Sequence, residues 1–186
     1  QFNWFLGYLM FEQLIQKYPA LASVQNSMEQ ALQMLHACFI NGNKILVCGN
    51  GGSAADAEHI VGELMKSFML PRPLSLAQQE RLQQVLPQQP EEAAKLCANL
   101  EGAIPALSLV SGVALPTAFA NDVAAEYIFA QQVFALGRPG DVLLAISTSG
   151  NSKNVVAAAL TAKALGLKTI GLTGKTGGRL KSICDI

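Results

Sequence analysis

From residue 44 onward the chain alternates short apolar, β-rich runs with helical stretches joined by glycine-rich turns, and this alternation constrains the fold more than any other feature. Runs at 44–48, 106–110, 141–147 and 168–173 read as strands. Helices are expected at about 53–68, 123–136 and 152–165, with a short one around Leu180. Strands alternating with helices pair in parallel through right-handed crossovers, so an open sheet covered on both faces follows. Such a doubly wound α/β sheet takes its ligand at the carboxyl ends of its strands, where the loops after Cys48 and Ile146 fall.

The 186 residues are expected to form a single domain. Residues 1–42 read as helix, because Leu14, Ile15, Tyr18, Leu21, Val24, Met28, Leu32, Leu35 and Phe39 recur at helical spacing, and Pro19 divides them into two helices. So much apolar surface with so few charges suggests a face that packs on another subunit as well as on the domain's own core. Burial wholly within one subunit is the alternative. The Gln- and Pro-rich stretch 71–104 reads as an insertion, a mobile helical flap with weak helical patches at 75–85 and 91–100. A fifth strand would be starting at Cys184-Asp185-Ile186, where the sequence stops, so the natural polypeptide is expected to be longer and to supply a further strand and helix.

Apolar residues make up 51% of the chain and charged residues 14%, which excludes general disorder. Thirteen basic side chains balance 13 acidic ones, so no basic field is available for nucleic acid or an anionic membrane, and any phosphate must be held locally. The four cysteines, Cys38, Cys48, Cys97 and Cys184, form no CxxC pair and sit in or beside apolar segments; buried reduced thiols and a cytoplasmic address are expected. The apolar opening 1–11 lacks a basic n-region and a small-residue cleavage site and runs into Glu12, so it reads as neither signal peptide nor membrane span.

Two loops carry the chemistry. Gly49-Asn50-Gly51-Gly52-Ser53 follows a strand and opens a helix, which directs unobstructed backbone N–H groups toward one small space at the positive end of a helix dipole. Close strand–helix packing demands the same glycines, so a ligand is one of two explanations. The loop is neither GxGxxG nor a Walker A sequence, and no organic cofactor is expected. Ser147-Thr148-Ser149-Gly150-Asn151-Ser152 again enters a helix, and its four hydroxyls exceed what an N-cap needs; phosphate binding without lysine or arginine is the favoured reading. In the helix from Ser53, Asp56, His59 and Glu63 share one face. His59 and Glu63 can hold a divalent metal, or Glu63 can move protons while His59 orients substrate; a solvated pair is the plain alternative. Asn121-Asp122 either adds polar groups to the same rim or caps a helix.

The glycine loop through His59, Ala120-Asn121-Asp122 and the segment 140–152 together resemble the sugar isomerase (SIS) domain family, in its phosphoheptose isomerase branch. The resemblance runs to Thr173-Gly174-Lys175 and is interrupted by the Gln-rich stretch. It implies a flavodoxin-like doubly wound fold and a homotetramer, with the N-terminal helices in a central bundle and the sites at subunit contacts. It implies that Ser147, Thr148, Ser149 and Ser152 hold the phosphate of a sugar phosphate, and that Asn50, Ser53 and Asp122, with Gly51 and Gly52 of the same loop, bind the sugar. Glu63 matches the family's acid/base, and His59 with Glu63 match half of a zinc site found in some members. The implied reaction interconverts sedoheptulose 7-phosphate and D-glycero-D-manno-heptose 7-phosphate, an aldose–ketose isomerisation.

Departures are also legible. The family's remaining catalytic histidine and metal ligands come from a C-terminal helix with no counterpart here, and Ser67, beside Lys66, stands where members often carry an arginine. The same fold includes phosphosugar-sensing regulators and a tetrameric scaffold that associates with a replication initiator. Against that scaffold, this chain keeps the isomerase wording in both loops.

Overall fold

The computed structural model describes residues 4–174 and 176–186. The first three residues of the apolar opening and Lys175, which closes the segment carrying the resemblance, lie outside the described residues. Helix α1 (Trp4–Lys17) and helix α2 (Gln25–Ile40) are separated by a 3₁₀ turn, Pro19–Val24, in which Pro19 occupies the first position. Proline has no N–H to donate and its ring obstructs the preceding turn, so α1 cannot run through it.

Strands β1 (Ile45–Cys48), β2 (Ala106–Ser108), β3 (Val142–Ser147) and β4 (Lys168–Thr173) form one parallel sheet in the order β2-β1-β3-β4. Alternate side chains of β1 and β3 feed two separate cores. Leu46, Cys48, Leu143 and Ala145 pack under helices α7 (Ile128–Leu136), α8 (Lys153–Ala164) and α9 (Leu180–Ile183), through Phe129, Val133, Val155, Ala159 and Leu180. Ile45, Val47, Val142 and Ile146 pack with α2 and with helix α3 (Gly52–Met65), through Leu35, Cys38, Ala57 and Ile60. Both faces of the sheet are therefore covered, as near-continuous apolar strands require. From β1 the chain steps to β2 on one side and then to β3 on the other. The strand order thus reverses at β1/β3, and the loops leaving these two strands diverge around a crevice.

Asp141 anchors the lower end of this pair. Its buried carboxylate accepts the Lys44 amide (3.0 Å), the Arg138 amide (2.8 Å) and the Lys44 ammonium, locking the turns that precede β1 and β3. Cys38 and Cys48 are buried and none of the four cysteines is paired in a disulfide; burial pushes the Cys48 thiol up to about 12.

Several boundaries differ from the sequence reading. Helix α3 stops at Met65, earlier than the expected 68, because the Leu64 carbonyl accepts from the Ile104 amide (2.9 Å) and the Arg72 guanidinium (2.9 Å). A helix not foreseen, α6 (Ala114–Phe119), follows β2. The helix expected from 123 begins at Ile128, since Ala120–Ala124 forms a π turn and Ala125–Tyr127 a 3₁₀ turn.

The weak patches of the Gln-rich stretch are complete helices, α4 (Leu76–Val85) and α5 (Pro90–Asn99), packed as a hairpin. Ser75 and Gln78 form a reciprocal capping box on α4, and Pro90 opens α5. The hairpin's base is stitched down by the Pro73–Glu101 bridge and by Glu101, whose carboxylate accepts the Ser67 amide (2.6 Å) and hydroxyl (2.8 Å). At the other end of the chain, the Asp185 and Ile186 amides donate to the Thr169 carbonyl at 3.1 and 3.2 Å, and the Gly171 amide donates to the Ile186 carbonyl at 2.8 Å. Residues 185–186 therefore lie along the β4 edge. Among the described residues, no helix is long and apolar enough to cross a membrane.

Candidate active site

The glycine loop is shaped by packing at one end and by dihedral demand at the other. A Cβ on Gly49 would stand 2.5 Å from the Ser53 carbonyl oxygen, so only glycine lets the strand pass this close to α3. Gly51 adopts φ +57 with open space around it. Its carbonyl accepts the Ala54 amide (3.0 Å) and the Ala55 amide (3.2 Å) to start the helix, and no side chain caps that helix. Packing thus accounts for Gly49 and backbone conformation for Gly51.

The serine-rich loop is tightly built. The Ser147 and Ser152 hydroxyl oxygens lie 2.9 Å apart, the Gly150 amide donates to the Ser147 carbonyl (2.8 Å), and the Asn151 amide donates to the Ser149 hydroxyl (3.2 Å). Ser152 occupies the N-cap of α8 without making a side-chain cap bond, so its hydroxyl is not spent on the helix. The loop rests on Gly174 and on residues 176–180: the Gly174 amide donates to the Thr148 carbonyl and the Leu180 amide to the Gly150 carbonyl, both at 3.0 Å. The Arg179 amide donates to Asn151 Oδ1 at 3.0 Å. At the start of α8 the Val155 amide donates to Asn154 Oδ1 (3.0 Å), and helical geometry leaves the Lys153 and Asn154 amides without backbone acceptors one turn back, at the positive end of the dipole.

The two loops meet. Asn50 and Asn154 exchange side-chain hydrogen bonds of 2.8 and 2.9 Å, and a shallow, open cleft of about 390 Å³ lies beside them, lined by Asn50, Ala125, Glu126, Ser152, Lys153 and Asn154. Of the residues singled out from sequence, Asn50 and Ser152 line this cleft; Gly51, Gly52, Ser53, Ser147, Thr148 and Ser149 belong to the loops that frame it. Asp122 sits in the exposed π turn with its Oδ1 accepting from Asn121 Nδ2 (2.8 Å), and the next turn of the same segment contributes Ala125 and Glu126 to the lining.

Sequence reasoning missed Asn154, Lys153 and Glu126. Asn154 and Lys153 directly follow the serine loop, so their position was a usable signal. The Lys153–Glu126 ion pair (2.6 Å) joins residues 27 positions apart and leaves no local trace.

His59 and Glu63 lie farther along α3. Glu63 is ten positions beyond Ser53, about 15 Å of helix axis, and neither His59 nor Glu63 lines the cleft. His59 Nε2 is 3.6 Å from Glu63 Oε1, the imidazole is mostly exposed, and Glu63 Oε2 is buried without a hydrogen-bond partner. An imidazole nitrogen beside a carboxylate with an unused oxygen fits two positions of a zinc site. Among the described residues, no third His, Cys, Asp or Glu joins them. The neighbouring Arg72 guanidinium donates to the Glu63 (3.3 Å) and Leu64 (2.9 Å) carbonyls and leaves its buried Nε unpartnered.

Comparison with known proteins supplies the family. The SIS domain profile matches residues 12–85 and 100–174. The phosphoheptose isomerase of Desulfovibrio desulfuricans is 42% identical over 158 residues, which are 85% of this chain and 61% of the relative's length. That of Shewanella baltica is 37% identical over 175 residues, 94% of this chain and 74% of the relative. Among solved structures, a phosphoheptose isomerase from Francisella tularensis aligns with a TM-score of 0.71 at 32% identity, covering 100% of this chain and 82% of the other. Phosphoheptose isomerase GmhA from Neisseria gonorrhoeae aligns with a TM-score of 0.66 at 31% identity, covering 97% of this chain and 77% of the other. Two loops joined at the switch point of a parallel sheet, a profile matched through α4 and again from residue 100, and these relatives lead to one conclusion: the chain belongs to the SIS domain family, among the phosphoheptose isomerases.

Proposed function

We propose that this chain is a phosphosugar isomerase acting on sedoheptulose 7-phosphate and yielding D-glycero-D-manno-heptose 7-phosphate. The observation that carries the reading is the junction of the glycine and serine loops through Asn50 and Asn154, beside the serine-loop hydroxyls and the N-terminal amides of α8. Phosphate is held by Ser147, Thr148, Ser149, Ser152 and those amides, while Asn50, Gly51, Gly52, Ser53 and Asp122 meet the sugar. Glu63 takes a proton from C1 of the ketose, a proton passes from O1 to O2 through the enediolate, and C2 receives the proton that completes the aldose. Oriented dipoles around the crevice stabilise the developing oxyanion.

The reading includes an assembly. Glu63 does not line the cleft and lies about 15 Å beyond Ser53 along α3, so in this proposal a complete site draws Glu63 from a neighbouring subunit of a homo-oligomer, a tetramer. Its support is the apolar surface exposed at Met65, Phe68, Met69 and Leu70, next to the same end of α3. His59 and Glu63 would hold zinc as half of its ligand set; bound there, the ion would polarise a carbonyl oxygen. No organic cofactor is assigned. The whole chain is taken as one SIS domain with an insertion between residues 85 and 100, and free thiols support a cytoplasmic setting.

One observation favours a second reading, phosphosugar binding without turnover: Glu63 is not among the residues that line the cleft. A calorimetric titration with sedoheptulose 7-phosphate tests the shared part. Binding that disappears in Ser149→Ala/Ser152→Ala, with an unchanged melting curve, is expected, and unchanged affinity would sink the phosphate assignment.

A further inference from the structure

Beside the phosphate loop stands a cation that a site built from dipoles alone leaves unused. Lys153 opens α8 immediately after Ser152, and among the residues lining the cleft it supplies the positive charge and Glu126 the negative one. The Lys153 ammonium donates to Glu126 Oε1 at 2.6 Å, with the two side chains 74% and 49% exposed, so this bond spans the open mouth of the cleft. The Glu126 carboxylate holds the ammonium above its ordinary range.

Three arguments bear on what the pair does. An exposed ion pair adds little to stability, so its energetic role in the fold is small and exchanging the partner costs little. A phosphate dianion offers Lys153 a larger charge and more acceptor oxygens than one carboxylate, and the α8 amides beside it favour the same anion. Until that anion arrives, Glu126 presents a negative charge to the cleft, neutralised by Lys153.

We propose that Lys153 is a ligand of the substrate's phosphate group and that Glu126 is the positioning residue that holds its ammonium over the cleft until substrate displaces it. The inference rests on the sugar-phosphate reading above and extends it: the anion site has one mobile cation besides its dipoles, and Glu126 sets the threshold for recruiting it.

The test is a titration of the full chain, as wild type, Lys153→Met, Glu126→Gln and the double variant, with sedoheptulose 7-phosphate and with unphosphorylated sedoheptulose at two salt concentrations. Lys153→Met is expected to weaken sugar-phosphate binding by about tenfold or more and to flatten its salt dependence. It should leave both the melting temperature and the response to the unphosphorylated sugar unchanged. Glu126→Gln is expected to tighten sugar-phosphate binding several-fold, and this gain should vanish in the Lys153→Met background, as coupling through one contact requires. Wild-type affinity in Lys153→Met, or an equal gain from Glu126→Gln with and without Lys153, would overturn the assignment. No binding by the wild type would overturn the sugar-phosphate reading and this inference together. Binding that is lost in Ser149→Ala/Ser152→Ala but intact in Lys153→Met would overturn this inference alone.

Discussion

Asn50 and Asn154 clasp each other across the carboxyl ends of β1 and β3: Asn50 Nδ2 donates to Asn154 Oδ1 at 2.8 Å, and Asn154 Nδ2 donates to Asn50 Oδ1 at 2.9 Å. One belongs to the glycine loop and the other to the first turn of α8, so the clasp fixes the spacing between the two halves of the proposed site. Asn50 is exposed and Asn154 half-buried, and both bonds lie at the surface.

That arrangement predicts a separation of stability from binding. Asn154→Ala is expected to cost about 1 kcal/mol of folding stability or less, since it removes exposed hydrogen bonds. Sugar-phosphate affinity should fall about tenfold as the loops lose registration. Because the clasp is shared, Asn50→Ala/Asn154→Ala should be little worse than either single change, which thermal melts and titrations of the three variants would check.

Gly150 gives a sharper structural prediction. Its φ is +66, and a Cβ there would stand 1.8 Å from the Gly177 carbonyl oxygen. Gly150→Ala must push Gly177 and Gly178 away from the serine loop, at about 2–4 kcal/mol in total. Gly51→Ala shares the positive φ but meets nothing within 4 Å, so only the dihedral cost of about 1–2 kcal/mol remains. Chemical denaturation of the two variants should rank them in that order.

Asp141 tests how the sheet is anchored. Truncation to alanine orphans the buried ends of the Lys44 and Arg138 amides together with the Lys44 ammonium, and about 3–5 kcal/mol of stability should be lost. The midpoint of urea unfolding reports it directly.

Glu101 supplies a pH dependence. Hydrogen bonds from the Ser67 amide and hydroxyl, with smaller help from Lys66 and Arg72, hold its carboxyl below the ordinary range. A depressed folded value means that the unfolded chain takes up the proton first. The stabilisation is therefore fully present above the ordinary carboxylate range and fades as pH falls through it toward the folded value. Ser67→Ala should flatten the acid side of the melting-temperature profile, and an unaltered profile would show that this contact does not anchor the base of the α4–α5 hairpin.

Much of this architecture was legible because the strands are short, apolar and bounded by glycine. Residues 168–173 form β4 as expected, and the reversal of strand order places the ligand loops where the alternation of elements put them. Helices α4 and α5 read as weak because polar runs interrupt their few large apolar residues, of which Leu76 and Val85 are exposed, so apolar periodicity fades; the Ser75–Gln78 capping box was the better signal. The start of α7 was misplaced because Ala120–Tyr127 keeps a helical composition while changing its hydrogen-bond period. Long-range contacts left no pattern at all. The Asn50–Asn154 clasp joins residues 104 positions apart and the Lys153–Glu126 pair residues 27 apart, so the cleft's lining emerged only from the fold.

The most direct test of the isomerase account is an NMR assay of sedoheptulose 7-phosphate with the wild type and Glu63→Gln, read for the aldose product and paired with titration of both proteins. The account predicts saturable binding by both proteins and conversion by the wild type. In Glu63→Gln, conversion should fall by about 10²-fold or more. Binding without conversion by the wild type, or conversion that survives Glu63→Gln, would contradict it.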